Sequence, residues 1–305
     1  MPVKNFVIKI LDILNKNLGN FLFNNGNLLS YNLFNFFIKK NIFNKKLTKD
    51  KKISSYIKNG YTKLDGVPQA DIDDLNLLLK KYNKNIIPDS LNMYNYFIND
   101  EIFKKVKDII KFNILNDLEL FEKYFNLKIV LSEVKIYRTY FIPKNQKKNE
   151  AYSNFFHSDG YTCNLFKLFI NLHNVDKTQG PLTVVKKEMK KIFKKNTGYN
   201  DRSNYQKENV NIEHCLHYNT GLKGDVLLCD TTELLHRAGD IEFGKHRDIL
   251  FLDFLAYPFE HDIDIFHFQS EVCKRGLDFK YAKIVGFKKL FKLYQLCKKK
   301  RLVRN

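Results

Sequence analysis

The sequence predicts a mainly β protein with flanking helices, an α+β chain whose centre is a sandwich or jelly roll. Three observations predict it. Short strand-like runs follow one another at 133–141, 166–173, 182–185, 210–215, 225–229 and 248–255, and many short strands between turn signals are the pattern of double-layer β folds. Helical periodicities lie on both sides of that centre. At 305 residues and 44% hydrophobic content, the chain can bury one large core.

The elements follow in order. From 3 to about 23, Phe6, Val7, Ile10, Leu11, Leu14 and Leu18 fall at helical spacing, with lysine and asparagine on the other face. Residues 39–52 form a lysine-rich connection. A helix at 53–58, the pair Asn59-Gly60 as its end and a strand at 61–64 come next. Helical patterns at 71–82 and 94–124 follow, the second broken once. A polar loop at 144–150 leads into the central motif. Residues 186–209 interrupt the strands with a long polar, helix-forming insert, either a solvated loop or a lid over the mouth of a site, since long loops in compact domains are often functional. Beyond Pro258 the chain returns to helix, and 287–304 is basic and amphipathic. The expected organisation is an N-terminal helical extension at 1–55, a jelly-roll domain at 56–257 and a basic helical segment at 258–305. There is no internal repeat.

The net charge of +19 comes from 52 basic residues, of which seven are arginine. Lysine, asparagine, isoleucine and phenylalanine are heavily used and tryptophan is absent, a bias that fits an AT-rich coding sequence. Few arginines leave little guanidinium readout of bases, so no specific nucleic acid partner is expected. Weak contact with an anionic membrane surface is the remaining reading of the charge, carried by the terminal amphipathic segments. The five cysteines are odd in number and form no Cys-x-x-Cys pair. Reduced thiols in the cytoplasm account for them. No stretch reaches the roughly 18 to 20 apolar residues of a membrane span, and the N-terminus does not read as a signal peptide.

The chemistry concentrates in His157-Ser158-Asp159, in His236, 79 residues on, and in Arg247, 11 further. On an extended segment, positions i and i+2 point the same way, so His157 and Asp159 can reach one metal. His236 must return from a distant segment. The run Gly224-Asp225-Val226-Leu227-Leu228-Cys229-Asp230 reads as the turn and short buried strand that deliver it. Two histidines and one carboxylate are the set that holds non-haem Fe(II) on one face and leaves other positions open. Arg247, opening a β-rich run, suits bidentate capture of a carboxylate. The same three ligands also hold catalytic zinc in hydrolases, and a jelly roll retaining them by descent could bind a ligand without catalysis. Both remain alternatives.

These four elements, with Phe166 to Asp176, then Gly180-Pro181-Leu182, then Leu235-His236-Arg237-Ala238-Gly239, resemble the phytanoyl-CoA dioxygenase-like branch of the Fe(II)/2-oxoglutarate oxygenases. The resemblance spans about 133–257. It implies a double-stranded β-helix (jelly roll, cupin-like) core and a metal held by His157, Asp159 and His236. 2-Oxoglutarate would chelate Fe(II), with Arg247 on its far carboxylate and O2 as co-reactant. The implied reaction gives succinate and CO2 while a C–H bond of a small molecule or of a lipid or glycan-type conjugate is oxidised. Related halogenases replace the carboxylate with a small residue, so Asp159 implies hydroxylation. In the 166–172 strand, Leu168, Ile170 and Leu172 share a face under helices, while Lys167, Phe169 and Asn171 share the other. Counted back from Gly180, Phe169 falls where some members place an aromatic beside the co-substrate. Lys167, Asn171 and Tyr137 then become candidate co-substrate contacts. Two departures stand out: Val185 to Met189 replaces a Pro-Gly-Ser-His run, and Ala238 replaces a hydroxyl residue. His214, His217, His246, His261 and His267 are read as structural or exposed.

Overall fold

The structure is a computed structural model that describes residues 49–125, 127–143, 151–159, 165–199, 211–231 and 234–258. The helices expected at 3–23 and after Pro258, and the second half of the 186–209 insert, lie outside those residues. Described residues up to Ser158 and from Leu165 onward belong to one compact unit. It is α+β, with all its strand pairs antiparallel.

Helix α1 (Lys51–Asn59) starts where the Asp50 side chain accepts from the Ile53 N–H at 2.9 Å. It stops at Gly60, whose φ of +79° admits the left-handed turn into β1 (Tyr61–Lys63). Helix α2 (Gln69–Tyr82) buries Ile72, Leu75 and Leu79, one apolar stripe at helical spacing. Helices α3 (Asp100–Ile109) and α4 (Leu115–Phe125) run on through a π turn at Ile110–Ile114, which is the expected break. Ahead of them, where helix was predicted from 94 on, the chain instead forms a strand, β2 (Met93–Asn95), paired to β3 (Leu127–Tyr140).

The large sheet has the order β1-β7-β4-β9-β3-β2, with β3 at Leu127–Tyr140, β4 at Leu165–Asn171, β7 at Val226–Cys229 and β9 at His246–Pro258. The small sheet is β6-β5-β8, at Leu216–Tyr218, Leu182–Val185 and His236–Ala238. His157 adds itself beside β8 through two backbone bonds with His236, at 3.0 and 2.8 Å. Two expectations change here. The strand predicted at 210–215 begins only at Leu216, after a 3-10 turn at Glu213–Cys215. His236 comes on its own strand, β8, in the other sheet from the 226–229 run.

The inner faces of the sheets meet in one apolar cluster. Phe169, Leu227, Cys229, Ile249 and Phe251 of the large sheet pack with Leu182 and Val184 of the small one. The parity read from β4 is observed: Phe166, on the opposite face from Phe169, packs against Tyr56, Phe121 and Phe125 of the helices. On the outer face of the small sheet, Phe156, Val185, Cys215, Leu216 and Leu235 surround Phe193 of α5 (Lys190–Thr197). The described half of the insert, expected as a solvated loop or a lid, is therefore a buttress. Its buried phenylalanine anchors it behind the segments that carry His157 and His236. Among the described residues, no helix is long and apolar enough to cross a membrane.

Candidate metal centre

His157, Asp159 and His236 are buried, and their ligand atoms lie within 4.8 Å of one another. The two rings sit 4.4 Å apart at 51°. Each histidine is held from behind. His157 Nδ1 lies 2.8 Å from the Phe155 carbonyl and His236 Nδ1 lies 3.2 Å from the Leu234 carbonyl. A carbonyl only accepts, so both Nδ1 atoms carry the proton and both Nε2 atoms keep a lone pair for a metal.

The loop that presents His157 is tightly specified. Tyr152 and Ser153 have φ of +25° and +61°, a region that non-glycine residues adopt only when their surroundings enforce it. Here the enforcement is visible. The Ala151 N–H donates to the Asn154 side chain at 2.8 Å, the Ala238 N–H donates to Ser153 O at 2.9 Å, and Arg237 lies over the Phe156 ring. Ala238, one of the departures noted above, packs with Tyr152 and Ile142.

Arg247 stands at the start of β9 with 2% of its surface exposed. Its Nη1 donates to the Gly180 carbonyl, and its Nε has no partner. Among the described residues no carboxylate pairs with it. Burial pushes its pKa below the ordinary arginine value, and Tyr137 and Tyr152 oppose that shift. Gly180 has to be glycine: its φ is +62°, and a Cβ there would stand 2.5 Å from the Gly239 carbonyl.

The other candidate co-substrate residues divide. Asn171 is 1% exposed, faces inward one rung from Arg247, and its Nδ2 has no partner. Tyr137 pairs with Ile249 on the next strand and packs on the inner cluster. Phe169 lies in that cluster against Phe251, with centroids 5.5 Å apart. Lys167 shares their face but stands opposite Asp253, six residues along β9 from Arg247. At about 3.4 Å per residue that is roughly 20 Å, several times the length of a five-carbon diacid.

His246 points away from Arg247, as expected from strand parity. It meets His173 and Asp248, which form a second group within 4.8 Å. That group is already satisfied. His173 Nε2 accepts from the Asp248 N–H at 2.9 Å, and Asp248 takes both Arg138 Nε and Nη2 at 2.7 Å and the Tyr96 hydroxyl at 3.2 Å. It is a structural ion pair bracing β9 on β3. Sequence reading missed two more inward groups. His217 stands on the same rung as Val184 and His236, with its ring stacked on Tyr61 at 4.4 Å. Glu133 and Asp253 oppose each other on the inner face and are both buried. Alternation along β3 and β9 would have revealed the second case once the register was known.

No family model and no curated protein matches the chain, and membership of the phytanoyl-CoA dioxygenase-like branch is not established by them. Among solved structures, it is similar to HygX from Streptomyces hygroscopicus with nickel and 2-oxoglutarate bound. That pair shares 12% identity and a TM-score of 0.47 over 69% of this chain and 87% of that one. It is also similar to the non-haem α-ketoglutarate-dependent epimerase SnoN from nogalamycin biosynthesis, at 13% identity and TM-score 0.45 over 75% and 91%. AviO1 from Streptomyces viridochromogenes Tue57 gives 14% and 0.41 over 69% and 96%. At these identities and scores the likenesses are remote, and the reading of the site rests on its own residues.

Proposed function

We propose that the chain is an Fe(II)- and 2-oxoglutarate-dependent oxygenase that hydroxylates a C–H bond of a small molecule or conjugate. The observation that carries the proposal is Arg247, a buried guanidinium without an acid partner among the described residues, on the inner face of the large sheet. A desolvated cation left alone is costly, and a carboxylate ligand would relieve it. A zinc hydrolase has no use for such a clamp, which is why that alternative is set aside.

The residues present fit the absent groups. His157 and His236 offer Nε2, Asp159 offers a carboxylate, and this mixed donor set suits Fe(II) with positions left open. Bound Fe(II) with 2-oxoglutarate and O2 would supply oxidative decarboxylation to succinate and CO2, coupled to oxidation of a substrate. Arg247 would take the far carboxylate of the diacid through its planar fork. The unpartnered Asn171 Nδ2 and the Tyr137 hydroxyl are further donors on that wall. Phe169, Ile249 and Phe251 keep water from the space between. The intact Asp159 favours hydroxylation over halogenation, and the sequence resemblance supports the same family.

The topology supports a double-stranded β-helix. From β3 the chain passes to the His157 segment, to β4, to β5 and β6, to β7, to β8 and to β9. It thus moves between the large and small sheets throughout. Anaerobic addition of Fe(II) and 2-oxoglutarate to the purified chain tests the proposal. The weak visible charge-transfer band of a chelated keto acid is expected, and it should vanish in His157→Ala, Asp159→Ala and His236→Ala. A folded, metal-loaded protein without the band would sink the oxygenase reading.

A further inference from the structure

The start of β9 is tied to the end of β4 by a side chain where a backbone bond would be expected. Leu172 N–H donates to the Asp248 carbonyl at 3.3 Å. An ordinary antiparallel pair would return the bond from Asp248 N–H to the Leu172 carbonyl. That carbonyl instead accepts from the Asn76 side chain of α2 at 2.9 Å. Asp248 N–H donates to His173 Nε2, also at 2.9 Å. The N–H held in this way belongs to the peptide unit that joins Arg247 to Asp248. The carbonyl of the same unit, that of Arg247, accepts from Thr139 Oγ1 of β3 at 3.5 Å.

The His173 bond exists in one protonation state only. His173 Nδ1 lies 2.7 Å from the Asn174 carbonyl. A carbonyl only accepts, so Nδ1 carries the proton and Nε2 keeps the lone pair that Asp248 N–H uses. A second proton on the ring would set one N–H against another. It would also bring a charge that its surroundings do not welcome. The His246 ring of β9 lies 5.4 Å from His173 between centroids. Asp248, the carboxylate that could compensate, is already taken by Arg138 Nε and Nη2 of β3 and by the Tyr96 hydroxyl. Burial pushes the His246 pKa down, and Arg138 and His173 act in the same direction while Asp248 opposes.

We infer that His173 is a positioning residue for Arg247, and that its neutral imidazole sets the guanidinium for the far carboxylate of the diacid. The inference rests on the oxygenase reading of Arg247. His173 does not meet the co-substrate; it acts on β9 from the outer side, where His246 and Asp248 point. Arg247 is enclosed and gives Nη1 to the Gly180 carbonyl, so the place of its fork depends on where its own backbone stands. Imidazoles as a class titrate near 6.5. A proton on His173 breaks the bond to Asp248 N–H, frees the Arg247–Asp248 peptide unit on its β4 side and misplaces the clamp. The chain then holds 2-oxoglutarate at neutral pH and loosens its hold in mild acid.

Anaerobic titration of the Fe(II)-loaded full chain with 2-oxoglutarate at pH 7.5 and 5.5 tests this in the parent, His173→Gln and His173→Ala. Glutamine offers an amide oxygen to Asp248 N–H and does not titrate. The metal ligands are the same in all three proteins, so their own titration cancels between the profiles. On acidification the parent should lose about three- to tenfold in affinity beyond what His173→Gln loses. At pH 7.5 His173→Gln should match the parent, and His173→Ala should bind about three- to tenfold more weakly. The parent's pH dependence kept in His173→Gln, or parent-like affinity of His173→Ala at pH 7.5, would overturn the inference. If His173→Ala does not fold, the parent and glutamine profiles decide alone. Peptide-level hydrogen exchange over 246–252, corrected for the intrinsic rate at each pH, reads the tie without co-substrate. Protection lost at pH 5.5 in the parent and kept in His173→Gln is expected, and equal protection in the two would overturn the inference. These failures leave the oxygenase reading standing. A parent that binds no 2-oxoglutarate at pH 7.5 would instead remove that reading, and the positioning role with it.

Discussion

Arg247→Lys probes the residue on which the function turns. The parent guanidinium is 2% exposed, gives Nη1 to Gly180 O and leaves Nε unpartnered. Lysine keeps the charge but cannot hold Gly180 and a carboxylate in one plane. Losing one charge-assisted hydrogen bond amounts to about 1.5–3 kcal/mol, or roughly a ten- to hundredfold weaker grip on 2-oxoglutarate. The same loss appears in stability. At one hundred times its Kd the diacid should stabilise the parent by about 2.7 kcal/mol, and at that concentration the variant should gain only about 0.4–1.4 kcal/mol. Iron-loaded protein is titrated anaerobically for the charge-transfer band, and urea unfolding is run with and without 2-oxoglutarate. The expected result is retained iron with a weakened diacid. An unchanged affinity would show that Arg247 serves only to tie β9 to the Gly180 turn, and the clamp would have to be found elsewhere.

Two further outcomes follow from packing and titration. Phe193→Ala should lose about 3–5 kcal/mol in urea unfolding, because the ring is fully buried 4.9 Å from Phe156; iron affinity should fall with it, since Phe156 precedes His157. Unaltered iron affinity would show that α5 does not brace the loop. Burial lowers the pKa of both His217 and His246, aided by Lys63 and Lys186 around the first and by Arg138 around the second, where Asp248 opposes. Both imidazoles therefore take a proton more readily in the unfolded chain, and stability present above their ordinary value near 6.5 should drain away as pH falls below it. Unfolding free energies at pH 7.5 and 5.5 check the sign, and His217→Gln should flatten the difference.

Spacing along the chain was enough to pick out three ligand-type side chains that the fold brings together. His157 and Asp159 at i and i+2, a distant His236 and a strand-opening Arg247 are local patterns, and a metal set is defined by donor type before it is defined by position. The alternation of β4, the α1 end at Gly60 and the α2 stripe were legible for the same reason, since each depends on residues within a few positions of one another. Strand β2 and the late start of β6 were not legible, because a three-residue strand is decided by its partner and not by its own pattern. Nor could 186–197 declare itself a buttress, as a buried phenylalanine behind a sheet and one closing a cleft look alike in sequence. Only the pairing of β3 with β9 put Glu133 against Asp253. Only the two sheets together brought His217 level with His236 and left Arg247 enclosed with no acid beside it among the described residues. Register and the stacking of one sheet on another join residues far apart in the chain, and that is where the sequence stops determining what each charge faces.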